Sequence, residues 1–197
     1  TRVETHTMMT PRRMFSPTLM LAALTTAMAA PQPGTMPAPD PKPAPAAPVY
    51  KEESPLPKGW PVPGPFNEVS RKQYPAYRAA FTKEGNPNGG FWKLFQHIER
   101  QKIPMNAPVE MKLDPADTSA ANMEQMAFLY QSPETGKTGA DGEHVEVRDV
   151  PKAEALSYAW QGGRDKQAVA HARAAIDARL KELGLKAAGY RLLGYNS

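Results

Sequence analysis

The residues able to do chemistry crowd between positions 78 and 110. His97 brings an imidazole, which can ligate a metal or carry a proton near neutral pH. Met105 brings a thioether, a softer donor. Arg78 and Arg100 bring planar guanidinium groups that match a carboxylate through two parallel hydrogen bonds. Phe91, Trp92 and Phe95 can stack on a flat ring, and Phe91 and Phe95, one turn apart, are the better placed. Glu110 would suit acid–base work if buried. Each group also has a plainer role. Helical spacing sets His97 about 60° outside the apolar stripe, the place of a partly exposed surface histidine. Met105 suits a core position, the aromatics suit packing, and the arginines suit a solvated surface. Alternation puts Glu110 opposite Val109 and Met111 and therefore toward water. His144 and His171 are weaker candidates, one beside a glycine-rich loop and one facing away from its helix's inner side.

Several classes of chemistry drop out. The chain has no cysteine, which removes thiolate metal sites, cysteine nucleophiles and disulfides. Asp114, Asp117, Asp141 and Glu143 lack the spacing of a calcium loop, and neither a phosphate loop nor H-E-x-x-H occurs. The net charge of +4 is spread too thinly to argue for nucleic acid.

The candidate residues must be positioned by the stretch 90–111. Phe91, Trp92, Leu94, Phe95 and Ile98 share one face of a short helix. Pro104 disfavours helical backbone before it, so the helix ends by about Lys102. Val109, Met111 and Leu113 then alternate as in a half-buried strand. Upstream, Asn67 to Phe81 reads as one bent strand or two short ones, broken at Tyr74–Pro75. Residues 85–90 form a turn cluster. Downstream come a strand over 123–131 and a loop to 142. The pattern then recurs: strands at 145–150 and 153–161, a helix with Asp165 as N-cap and Gly184 as its stop, and a strand over 186–195. The stretches 66–131 and 144–197 read as an internal duplication within one α+β domain, with a groove where two helices lie on a curved sheet.

Residues 8–30 carry the three parts of an export signal: Arg12-Arg13, a short apolar core, and Ala27-Met28-Ala29. The expected location is periplasmic or extracellular, and the apolar run is too short to span a membrane. Residues 31–65 contain 13 of the 22 prolines and read as an extended spacer unable to form a core.

From about Asn67 onward the sequence resembles the SOUL/heme-binding protein family. The resemblance is carried by Glu68-Val69 with Tyr74-Pro75-Ala76-Tyr77-Arg78, by the helix from Phe91 to Ile98, and by Ile103-Pro104-Met105-Asn106-Ala107-Pro108-Val109. Phe128-Leu129-Tyr130 and the ending Leu193-Gly194-Tyr195-Asn196-Ser197 add to it. It implies a pseudo-twofold, distorted antiparallel β-barrel of two helix-bearing repeats. It also implies non-covalent, low-specificity binding of heme or another tetrapyrrole in an apolar groove beside the first helix. Phe91 and Phe95 would then stack on the ring. His97 or Met105 would be the candidate iron ligands, with Arg78 and Arg100 on the propionates. Two departures stand out: Asn106 replaces the family's usual threonine, and the sequence stops at Ser197 where many members add a final strand. Two other readings of the groove remain open: a hydrolase of the related gyrase-inhibitor-like kind using a buried Glu or Tyr, and a protein-interaction module. A carboxylate beside a tyrosine in the pocket would favour the hydrolase.

Overall fold

The two helices end as their sequences require. A computed structural model describes residues 2–3, 49–84, 89–117 and 123–195. The expected export signal, the first part of the spacer and most of the Gly85–Gly90 turn lie outside those residues. The first helix, α1, spans Gly90–Arg100 and follows Gly89 in the left-handed region. Its C-terminus is a Schellman motif: Lys102 sits at φ 54, and the Ile103 amide reaches back to the Ile98 carbonyl at 2.8 Å. Pro104 follows and forbids continuation. The second helix, α2, spans Lys166–Glu182. Asp165 caps it through the Ala168 amide at 2.9 Å. Gly184 at φ 65 and the Leu185-to-Leu180 bond close its other end in the same way.

Among the described residues nine strands accompany them: β1 (Arg2–Val3), β2 (Val69–Tyr74), β3 (Tyr77–Thr82), β4 (Val109–Leu113), β5 (Met123–Leu129), β6 (Gly139–Asp141), β7 (Val145–Val150), β8 (Ala153–Tyr158) and β9 (Ala187–Gly194). The break between β2 and β3 falls at Pro75, as the sequence requires. All ladders are antiparallel. Seven strands form one sheet in the order β1-β9-β4-β5-β3-β7-β6, and β2 pairs with β8 in a second. The mixed helix and antiparallel-sheet class is therefore as expected, but the barrel does not close. Among the described residues β8 pairs only with β2, and no ladder joins it to β9.

Both faces of the large sheet are covered, which decides where the site residues point. On one face α1 presses Leu94 and Ile98 onto Ala80, Met111, Met126, Phe128, Val145 and Val147. On the other, Tyr77, Ala79, Phe81, Ala127 and Leu129 are buried with Ala155 of β8 and with Trp60. Trp60 belongs to the proline-rich stretch. Residues 49–65, expected to be an extended spacer without a core, instead form a strap laid on the domain. Its Lys58 amide donates to the Gln131 carbonyl at 2.9 Å, its Pro55 carbonyl accepts from Ala107 at 3.1 Å, and Trp60 is only 6% exposed. The β2–β8 pair is closed from outside by α2, where Leu156, Ile176 and Leu180 form a third cluster.

Candidate functional site

The candidates around α1 are largely engaged with the protein itself. Phe91 and Phe95 stack on each other with centroids 6.1 Å apart, and Phe91 meets Phe128 edge-on at 5.2 Å. Both rings are half-buried against the core, while Trp92 stands 63% exposed. His97 is not the partly exposed residue that its helical angle implied; it is 2% exposed. Asp141, at the end of β6, closes over it. His97 Nδ1 pairs with Asp141 and Nε2 lies 2.6 Å from the Tyr130 hydroxyl. Burial, and secondarily the Asp141 charge, push the Tyr130 phenol up to about 12. It therefore keeps its proton, and its hydroxyl shares a hydrogen bond with Nε2 while Nδ1 faces Asp141. An axial bond to iron would have to break one of these contacts.

The two arginines are also committed. Arg78 makes a two-bonded pair with Asp149 at 2.7 and 3.0 Å and adds the Gly136 carbonyl at 2.8 Å. Arg100 reaches Asp141 at 2.6 Å. Met105 is 38% exposed at the start of the exit from α1, not in a core. Asn106, the residue that replaces threonine, is buried and donates to the Leu129 carbonyl at 3.3 Å.

Glu110 is likewise not turned toward water. The alternation argument assumed one solvated face, and here the opposite face carries Trp60 and the β2–β8 pair. Tyr77 donates to Glu110 Oε2 at 2.7 Å, and Arg191 donates to the same oxygen at 3.0 Å. Burial first, and then the neighbouring Glu110 charge, hold the Tyr77 phenol far above its ordinary range. Arg191 lies 4.4 Å above the Tyr74 ring, and Trp60 donates to the Tyr195 hydroxyl at 3.1 Å. The result is a buried charge cluster roofed by aromatics.

Arg191 is also where this cluster meets open space. A cavity of about 840 Å³ lies between α2 with β8 and the β4–β9 end of the large sheet, bordered by residues 49–66. Leu156, Val169, Ile176 and Leu192 give it apolar walls, and Tyr158, Trp160 and Tyr190 give it aromatic ones. Five cations line it, Lys51, Lys72, Arg164, Arg173 and Arg191, with different commitments; Arg173 is spent on the Pro115 and Asp117 carbonyls. Arg191 is held by Glu110. Burial lowers the affinity of the Lys72 amine for its proton, and that amine reaches the Val62 carbonyl. Among the described residues Arg164 donates to the thioether of Met111, at 2.8 Å, a weak acceptor for a full charge. None of Phe91, Phe95, His97, Met105, Arg78 or Arg100 lines this cavity.

A family model described as SOUL heme-binding protein matches residues 65–197. The chain belongs to the SOUL heme-binding protein family. No curated protein matches the sequence. As a SOUL domain it would be expected to accept a flat, largely apolar ring with carboxylate arms, and the cavity has walls and cations of that kind. Its iron-capable atoms among the described residues are the Met111 sulfur, already facing Arg164, tyrosine hydroxyls, the Glu53 carboxylate and the Lys51 and Lys72 amines, with no histidine among them. Among the described residues no group of three or more His, Asp or Glu side chains could hold a metal ion, and no helix is long and apolar enough to cross a membrane. The donor set thus suits a ring held by its faces and its carboxylates. The sequence held one overlooked signal for this site: Arg191 sits inside the apolar run Tyr190-Arg191-Leu192-Leu193, where a charge needs a partner.

Proposed function

We propose that this SOUL domain binds heme or a related tetrapyrrole non-covalently, in the cavity beside α2. The observation that carries the placement is a volume of about 840 Å³, within the roughly 300–1,000 Å³ typical of ligand sites, with an under-used guanidinium on its wall. Arg164, Lys72 and Arg191 would hold the carboxylate arms, and Leu156, Ile176, Tyr158 and Trp160 the ring. An iron-loaded ring would supply redox chemistry; the chain's part is to bind it, orient it and exclude water. The first helix is the less favoured wall, since Phe91 and Phe95 are used in packing and His97 has both nitrogens engaged. Glu110 and Tyr77 form the carboxylate–tyrosine pair that a hydrolase would need. Neither lines the cavity, and each is bonded to the other and to Arg191. We read the pair as the support that fixes Arg191.

The pairing scheme supports two related halves. A twofold that exchanged β2 with β7 and β3 with β8 would turn the β2–β8 ladder into the β3–β7 ladder and would match α1 and β4 with α2 and β9 in chain order. Export, inferred from residues 8–30, would place the domain outside the cytoplasm, with mass analysis of the secreted chain as its check.

Titration of the protein with hemin, followed by the Soret band, tests the function. A saturable shift is expected, kept in His97→Ala and Phe95→Ala and weakened about tenfold in Arg164→Gln, the loss of one charged hydrogen bond. Absence of a saturable shift at micromolar protein overturns the proposal. Loss of the shift in His97→Ala moves the site back to α1.

A further inference from the structure

We infer that residues 49–63, which precede the family-matched region, are a working wall of the ligand site: a strap anchored by Trp60 that swings aside for the ligand to enter. The inference rests on the ligand site proposed above. The strap is fixed in its middle and loosely held at its flanks. In the middle, Trp60 is buried edge-on against Tyr74 at 4.9 Å and Tyr77 at 5.2 Å, and it donates to Tyr195. Backbone bonds at Pro55 and Lys58, with the Gln131 side chain on the Leu56 carbonyl at 3.0 Å, hold the turn that leads to it.

The flanks differ. Tyr50 and Lys51 on one side of the anchor, and Val62 and Pro63 on the other, border the cavity. Val62 is 58% exposed and Val49 81% exposed, so these valines gain little from burial, and the inner flank's apolar contact is Tyr50, edge-on to Tyr195 at 5.7 Å. The outer flank spans the short gap between the Trp60 anchor and the Asn67 amide, which donates to the Ala159 carbonyl at 2.8 Å; within that gap its tie is the Lys72 amine on the Val62 carbonyl, from a group that also lines the cavity. The inner flank leaves the Tyr50 hydroxyl buried without a hydrogen-bond partner, an arrangement that a small movement would relieve. A ligand carboxylate competing for Lys72 would release the same tie that keeps the strap down. Binding and opening are thus coupled through one ammonium group.

The absence of cysteine makes the test clean. Ser157 lines the cavity, so Ser157→Cys in the full chain provides a thiol whose labelling rate reads access to it without any ligand. Combining it with Pro61→Gly and Pro63→Gly loosens the outer flank and leaves the anchor in place. Labelling is expected to accelerate at least tenfold, and to accelerate again in Trp60→Ala if that variant folds by circular dichroism. An unchanged labelling rate in the Pro61→Gly/Pro63→Gly background overturns the inference. Hemin kinetics provide the second measurement. The loosened strap should raise association and dissociation rates together, leaving Kd within about threefold, whereas a purely structural strap would change Kd through dissociation alone. If hemin fails to bind the unaltered protein, the tetrapyrrole reading falls, and the labelling experiment still decides the strap.

Discussion

Replacing Glu110 with Gln gives the sharpest test of how the site is built. The carboxylate accepts from Tyr77 at 2.7 Å and from Arg191 at 3.0 Å, with the Arg191 and Glu110 side chains 14% and 12% exposed. The substitution keeps the shape and removes the charge. Arg191 is then a guanidinium in a mostly apolar setting, flanked by Tyr74 and Trp60, with no counter-charge. Breaking one side of a buried pair costs about 3–5 kcal/mol. For a domain of this size each kcal/mol moves Tm by about 2–4 °C, so a fall of roughly 6–20 °C is expected. Removing both partners, as in Glu110→Met with Arg191→Met, should recover most of that loss, because two apolar side chains leave no stranded charge. Urea unfolding followed by circular dichroism measures both. A Glu110→Gln variant within about 1 kcal/mol of the parent would refute the idea that the pair is a buried, mutually dependent unit. The cavity adds a second reading. Hemin should stabilise Glu110→Gln more than it stabilises the parent, since a ligand carboxylate becomes the missing counter-charge and ligand bound only to the folded state raises Tm.

Three further outcomes follow from the geometry around α1. His97→Ala strands the Tyr130 hydroxyl and opens a cavity, so it should cost about 2–4 kcal/mol in urea while leaving hemin affinity within about threefold. The Asp141 carboxyl is held below its ordinary range by the hydrogen bond from His97, with Arg100 adding to it. A depressed folded value means its stabilisation is complete above the unfolded value near ~3.9 and is lost as pH falls through the folded one. Asp141→Asn should therefore lose stability less steeply than the parent below about pH 4, as measured by urea midpoints; parallel curves would remove Asp141 from the acid response. Gly136 sits at φ 66, and a Cβ there would lie 3.2 Å from the Tyr130 ring, so Gly136→Ala should destabilise by about 1–2 kcal/mol in the same assay.

Much of the scaffold was legible because local signals and the final structure agree. Asp165, Gly184, Pro104 and the Tyr74–Pro75 break each fix an element boundary by backbone chemistry that tertiary contacts do not override. The stripe of Leu94 and Ile98 faces the core as its spacing demands. What failed to show was anything set by a second covering layer. Glu110 reads as solvent-facing when that whole side of the strand is assumed to be wet, but the side is covered at Glu110 and open only two residues on, at the exposed Lys112. His97 reads as peripheral on its own helix, yet Asp141 and Tyr130, more than 30 residues away in sequence, close over it. The cavity cations Arg164 and Arg191 lie in the second half of the chain and are brought together by the β4–β9 ladder and the loop before α2, a pairing no local pattern encodes.

The strap shows why composition misleads in a particular direction. Thirteen prolines in residues 31–65 argue against a core because proline supplies little apolar side chain and breaks ladders. The same residues, however, have little freedom to lose. Ordering an average residue costs about 1–2 kcal/mol of backbone entropy, and a proline with its fixed φ costs less. Between 55 and 65 five of eleven residues are proline, so laying this stretch on the domain is unusually cheap. One large side chain can then decide the matter. Burying a tryptophan removes roughly 200 Å² of largely apolar surface, worth about 5 kcal/mol. Trp60 is that side chain, and its indole also finds the Tyr195 hydroxyl. A proline-rich stretch with a single tryptophan is therefore better read as a strap awaiting a docking site than as a spacer. In this domain the docking site borders the cavity that tetrapyrrole binding would use.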